Sequence, residues 1–222
     1  MKRCLRFRAG SLAAALWPVL LPVVLGFCLG WEAGGTLRAY LRRAGGTDAR
    51  AALAFVMDFR RFIPLAGAVW SAAYFGREQD SGSARLLRSR GFGRPAVYGS
   101  EYLCFLTGLA VLSLVQQGVA LAAVPGWRGL APAFLLRTLA LRLTLDLGMM
   151  ALPGFLPCLG GGSPYARLLG FPYGLALWRL MGSHYELWLP ELGRPGLLAL
   201  LPLAALPVGV LGYGVLAARN ED

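Results

Sequence analysis

Charge is what this sequence has least of. Only 15% of its residues are Asp, Glu, Lys or Arg and 57% are hydrophobic, whereas a soluble domain carries about 25% charged residues. That balance excludes a disordered chain, which combines few apolar residues with many charges, and it disfavours a soluble fold. Histidine is scarcer still. His184 stands alone, and the four cysteines, Cys4, Cys28, Cys104 and Cys158, have no metal-like spacing, so no zinc or other metal site is expected. Each cysteine lies in or beside an apolar run, where a thiol acts as a small hydrophobe and stays free.

Lysine occurs once, as Lys2. The run Gly160-Gly161-Gly162, followed by Ser163 and Pro164, is therefore no phosphate loop, since that motif needs a lysine and a hydroxyl residue after its glycines. It reads as a flexible link, and the chain has no ATP site of its own. His184 with Glu186 is the one pair resembling acid–base machinery, but no nucleophile is tied to it by spacing, and an exposed loop histidine is the better reading. No cofactor and no enzymatic activity are expected.

The charge that is present is one-sided, with a formal net charge of +11. Strongly basic domains often bind phosphate backbones. Here the arginines are dispersed among loops and helix ends rather than gathered on a polar domain, so anchoring at a membrane surface explains them better and no nucleic-acid partner is expected.

What is abundant is uninterrupted apolar sequence. Residues 9–31, 102–127 and 195–218 contain no charge at all, and each exceeds the roughly 20 residues a helix needs to cross a bilayer core about 30 Å thick. Hydrocarbon offers no partners to backbone N–H and C=O groups, so an open chain crosses it only as helix, and the long runs lack the alternation of a barrel strand. The expected fold is all-α and polytopic, a single transmembrane domain with six spans near residues 11–30, 57–76, 102–124, 132–158, 168–182 and 196–217. Lys2, Arg3, Arg6 and Arg8 favour a cytoplasmic N-terminus. The first run is longer than the about 7–15-residue core of a secretory signal, so it is read as a retained span.

The remaining segments are less clean. Residues 37–43 form either a short interfacial helix or a basic surface loop. The second span is short of apolar residues and places Arg60 and Arg61 at the outer interface. The fourth carries Arg137, Arg142 and Asp146 and is expected to kink at Pro153 and Pro157. The fifth, broken by Pro172 and Arg179, is either tilted or partly re-entrant.

Polar residues inside spans are the candidates for a substrate path. Arg142 and Asp146 stand four apart, on one helix face, as a self-neutralised structural pair or as part of a translocation path. Gln116 and Gln117, mid-way through the third span, either join helices by hydrogen bonds or line the same path.

Between the second and third spans runs Glu78-Gln79-Asp80-Ser81-Gly82-Ser83-Ala84-Arg85-Leu86-Leu87-Arg88-Ser89-Arg90-Gly91-Phe92-Gly93-Arg94. It resembles the signature of type-two ABC transporter permeases, the exporter or transport-permease family. There an acidic residue closing the second span is followed by Gly-Ser or Gly-Thr, two leucines and a later arginine; Glu78, Gly82, Ser83, Leu86, Leu87 and Arg94 match in order and spacing. The family often has a lysine near the start of the third span, where this chain has Glu101.

The resemblance implies an amphipathic cytoplasmic coupling helix, about residues 78–94, seated in a groove of a separate ATPase. It implies two ATPase subunits, which use ATP and Mg, and a second copy or related permease as partners. Surrounding membrane lipids complete the assembly, with both termini on the cytoplasmic side of a bacterial inner membrane. In the residues themselves, Gly82 permits a sharp turn, Ser83 is placed to cap the new helix, and Leu86 and Leu87 offer an apolar face. The rivals are a non-transporting membrane scaffold or sensor, and a membrane-embedded enzyme.

Overall fold

The computed structural model describes residues 1–30, 63–123, 127–151 and 172–176, together with positions 209, 211, 212 and 214. The architecture is all-helical, with no strand among the described residues. Among the described residues five helices follow in order: α1 (Lys2–Gly30), α2 (Ile63–Ser81), α3 (Ser83–Ser89), α4 (Arg94–Ala123) and α5 (Pro132–Ala151). A single 3₁₀ turn, Trp127–Gly129, leads from α4 into α5. Residues 172–176, within the expected fifth span, are helical as well.

Each long helix buries a stripe set by its 3.6-residue repeat. On α1 the stripe is Cys4, Arg8, Ala15 and Val19; on α2 it is Trp70, Ser71, Tyr74, Phe75 and Glu78. The α4 stripe runs through Val97, Glu101, Tyr102, Phe105, Leu109, Leu112, Ser113, Gln116 and Gln117. These stripes meet in one core, where Ala15 and Val19 pack with Trp70, Tyr74, Phe75, Tyr102, Phe105, Leu109, Leu112 and Met150. A chain of rings crosses it. Trp70 to Tyr74, Tyr74 to Phe75, Phe75 to Phe105 and Phe105 to Tyr102 have centroids 5.2, 5.4, 5.1 and 5.8 Å apart, within the range for favourable ring contacts.

Two glycines admit the close approaches. A Cβ at Gly108 would lie 2.1 Å from Cζ2 of Trp70, and one at Gly67 would lie 2.7 Å from Cε of Met150. The bare backbone at Gly108 lets the indole lie against α4, where its Nε1–H donates to the Phe105 carbonyl at 2.8 Å. This bond satisfies the donor of a wholly buried Trp.

The helices extend beyond the apolar runs that announce them. α1 begins at Lys2 rather than near residue 11, α2 continues to Ser81 rather than ending at 76, and α4 begins at Arg94 rather than 102. Polarity ends an apolar run but not a helix: Arg77, Glu78 and Gln79 are good helix formers, and the turn comes only at Gly82. The expected coupling helix at 78–94 is thereby corrected. Its first residues belong to α2, its last to α4, and the separate helix between them is the seven-residue α3.

Among the described residues one stretch, Arg94–Gly118 in α4, is long and apolar enough to cross a membrane by length and composition. The expected sixth span is described only at the helical positions 209, 211, 212 and 214. Residues 31–62, Pro153, Pro157, Gly160–Gly162, Arg179, His184 and Glu186 lie outside the described residues.

Candidate functional site

The junction of α2, α3 and α4 is built from local sequence. Gly82 adopts φ 60° and ψ 23°, a left-handed conformation that a side chain would disfavour, and this one residue turns the chain from α2 into α3. Its carbonyl accepts from Leu86 N–H at 3.0 Å. At the other end of α3, Gly91 takes φ 81°, its N–H donates to the Arg88 carbonyl at 2.9 Å, and Phe92 N–H donates to the Leu87 carbonyl at 3.3 Å. That is the paired-bond termination of a Schellman motif, completed by apolar contact between Phe92 and the Leu87 cluster. The next helix starts at once. Gly93 C=O accepts from Ala96 and Val97, and Pro95 occupies a first-turn position whose missing N–H costs nothing.

Ser83 does not cap α3, contrary to expectation. The capping position is Gly82, with no side-chain cap bond. The buried Ser83 hydroxyl donates instead to the carboxylate of Glu78. The reason is geometric: the left-handed turn at Gly82 folds the first residue of α3 back under the last turn of α2, where the carboxylate is waiting.

Glu78 is in turn paired with Arg8, whose guanidinium is wholly buried. The second amino group of Arg8, Nη2, lies 3.4 Å from Oε2 of Glu101 on α4. One guanidinium thus joins α1 to α2 and α4, and Ser83 adds α3 to the same network. The planar fork of arginine suits this double engagement, whereas a lysine has only a point of charge to offer. Buried ion pairs lose much of their Coulombic gain to desolvation, so the arrangement is better read as a specifier of position than as a source of net stability.

The leucine pair of α3 is split. Leu87 is buried, 1% exposed, against Cys4 of α1 and Val97 of α4, while Leu86 is 41% exposed. The expectation of one common apolar face is therefore corrected: consecutive residues on a helix point about 100° apart, and in so short an element only one of them can face the bundle. Arg94 is the exposed first residue of α4.

A second polar set lies deeper in the bundle. Gln117 Nε2 donates to Ser113 Oγ at 2.9 Å, and Ser113 Oγ donates to Oδ2 of Asp146 on α5 at 2.7 Å. Asp146 is wholly buried, and Gln116 and Gln117 are each 2% exposed. The structure thus brings Gln117 and Asp146 together through Ser113. Arg142 is on the same helix, but its side chain lies outside the described residues, and so does the expected pairing with Asp146.

Sequence reasoning missed Arg8 and Ser113. Arg8 was grouped with Lys2, Arg3 and Arg6 as a surface charge. A periodic signal separates it, because Arg8 falls four after Cys4 and seven before Ala15, on the apolar stripe, whereas Lys2, Arg3 and Arg6 are exposed off it. Cys4 and Cys104 are both free and buried, as hydrophobic thiols.

Comparison with protein-family models, curated proteins and solved structures gave no match.

Proposed function

We propose that the chain is the membrane-spanning permease subunit of an ATP-binding-cassette exporter. Six helices cross a bacterial inner membrane, both termini and α3 are cytoplasmic, and separate ATPase subunits hydrolyse ATP with Mg. The subunit pairs with a second copy or a related permease, and the interior between the helices forms the path. The observation that carries this reading is the attachment of α3: a short helix with an exposed leucine, tied through Ser83, Glu78, Arg8 and Glu101 to three long helices at once. A push on such an element is delivered to the whole bundle rather than absorbed by a loop.

Two further features support it. Large apolar side chains are left exposed on the described helices, including Trp17 at 72%, Leu136 at 71% and Leu114 at 50%, as a lipid-facing surface requires. The set Gln117, Ser113 and Asp146 provides the buried polar groups that membrane helices reserve for contacts and pathways. The test is purification of the full chain in mild detergent with whatever accompanies it. A soluble ATPase at one copy per permease, with hydrolysis that depends on the permease, is the expected outcome. Purification of a lone chain from cells that express the neighbouring genes argues for the scaffold instead.

A further inference from the structure

Two basic segments far apart in sequence are brought together at the end of the bundle. The first turns of α1 carry Lys2, Arg3 and Arg6, the last turn of α2 carries Arg77, and α3 with its cap carries Arg85 and Arg90; all six are exposed. The segments are joined by contacts, not merely by charge. Cys4 packs on Leu87, and the Arg90 guanidinium carbon sits 5.9 Å from the centroid of the Phe7 ring, within reach of a cation–π attraction. The carboxylates at the same end are engaged, Glu78 and Glu101 by Arg8, and Asp80 with a partner of its own.

We infer that these six side chains form one binding surface for anionic phospholipid headgroups. This rests on the membrane reading, and depth is what selects lipid over an acidic protein. With the apolar part of α1 starting at Ser11, Arg6 lies about 8 Å below the hydrocarbon edge at about 1.5 Å per residue. A headgroup layer is about 5–7 Å deep on each side, and an arginine stem spans the difference. α3 is held at the same level by Cys4 and Phe7, so its arginines meet the same phosphates. Clustered cations just outside a span attract anionic lipid in this way, and here the cluster includes the coupling element itself. Headgroup binding thereby holds α3 against the bundle, and the lipid composition of the leaflet sets how firmly.

Native mass spectrometry of the purified full chain, titrated with phosphatidylglycerol or phosphatidylcholine of matched acyl chains, tests this. Phosphatidylglycerol is expected to bind at least tenfold more tightly. The preference should fall at least fivefold in Arg85→Gln/Arg90→Gln and in Lys2→Gln/Arg3→Gln/Arg6→Gln. Arg128→Gln, in the turn at the far end of α4, should leave it unchanged. Equal binding of the two lipids, or a preference that survives both sets of substitutions, overturns the inference. Displacement of phosphatidylglycerol by millimolar inorganic phosphate would make the site a phosphate site and not a lipid surface. If Arg85→Gln/Arg90→Gln keeps the lipid preference but loses a co-purifying subunit, the face docks protein instead. Alkaline carbonate extraction of the unmodified chain from membranes is the separate control: release would sink the membrane reading whatever the lipid result.

Discussion

At the end of the bundle, Arg8 of α1 meets Glu78 of α2 and Glu101 of α4. About 18 Å deeper, at about 1.5 Å per residue along α4, Ser113 links Gln117 of its own helix to Asp146 of α5. Both sets are buried, and the ring chain from Tyr102 to Trp70 occupies the space between them. They differ in how helices are held. The outer set joins three helices by full charges and extends to α3, so its integrity depends on each charge having its counter-charge. The inner set is a relay through one hydroxyl, and the helices beside it are located mainly by packing on bare glycine at Gly67 and Gly108. The outer region is therefore held through a few named atoms, whereas the inner one tolerates local change but not added volume.

The largest effect should come from unbalancing the outer set. Arg8→Met leaves two buried carboxylates without their guanidinium, at a cost of about 3–5 kcal/mol, seen as a steep loss of folded yield and of melting temperature in detergent. Arg8→Met/Glu78→Gln/Glu101→Gln should recover most of that stability while uncoupling α3 from α1. If Arg8→Met alone melts like the unmodified chain, the network is ornamental and the contrast drawn above collapses.

Packing should give the next largest effect. Gly108→Ala drives a methyl into the Trp70 indole and breaks its bond to the Phe105 carbonyl, an overpacking cost of about 1–3 kcal/mol. Gly108→Ala/Trp70→Leu should restore part of it, because the smaller side chain vacates the space. A lower melting temperature for Gly108→Ala that Trp70→Leu does not relieve would show that the clash lies elsewhere.

The inner relay should be the mildest to break. Ser113→Ala removes the hydroxyl between Gln117 and Asp146, leaving a buried carboxylate short of one donor for about 1–3 kcal/mol, while Ser113→Thr keeps it. Thermal unfolding should separate the two, and on the exporter proposal transport should fall more in Ser113→Ala than folded yield does. Equal behaviour of Ala and Thr would remove the hydroxyl from the account.

Much of this was legible in the sequence, and the rest was hidden for specific reasons. The helical class, the turn at Gly82 and the burial of Gln116 and Gln117 follow from apolar runs, a lone glycine and a 3.6-residue repeat. Helix ends were misplaced because apolarity reports on environment, and α2 continues through the polar stretch Arg77–Ser81, where Glu78 is held by Arg8 and Ser83. The partner of Glu101 was invisible because it sits 93 residues away on α1 and was counted among surface charges. The inward turn of Leu87 was unreadable for a related reason: in a seven-residue helix both leucines satisfy the pattern, and only the positions of Cys4 and Val97 decide between them.

That division of labour on α3 supplies the most direct test. Leu86→Asp alters only an exposed side chain, so the full chain should fold with an unchanged melting temperature. On the exporter proposal it should nonetheless lose a co-purifying ATPase subunit by at least tenfold, since burying a leucine contributes up to roughly 1.5–3 kcal/mol to an interface. Leu87→Asp, by contrast, should fail to fold, because it puts a charge into the Cys4 and Val97 cluster. Measuring both variants side by side, by melting temperature and by retained ATPase, decides the central claim. If Leu86→Asp folds and keeps its full complement of ATPase, α3 is not the coupling element, and the exporter reading of this chain is contradicted.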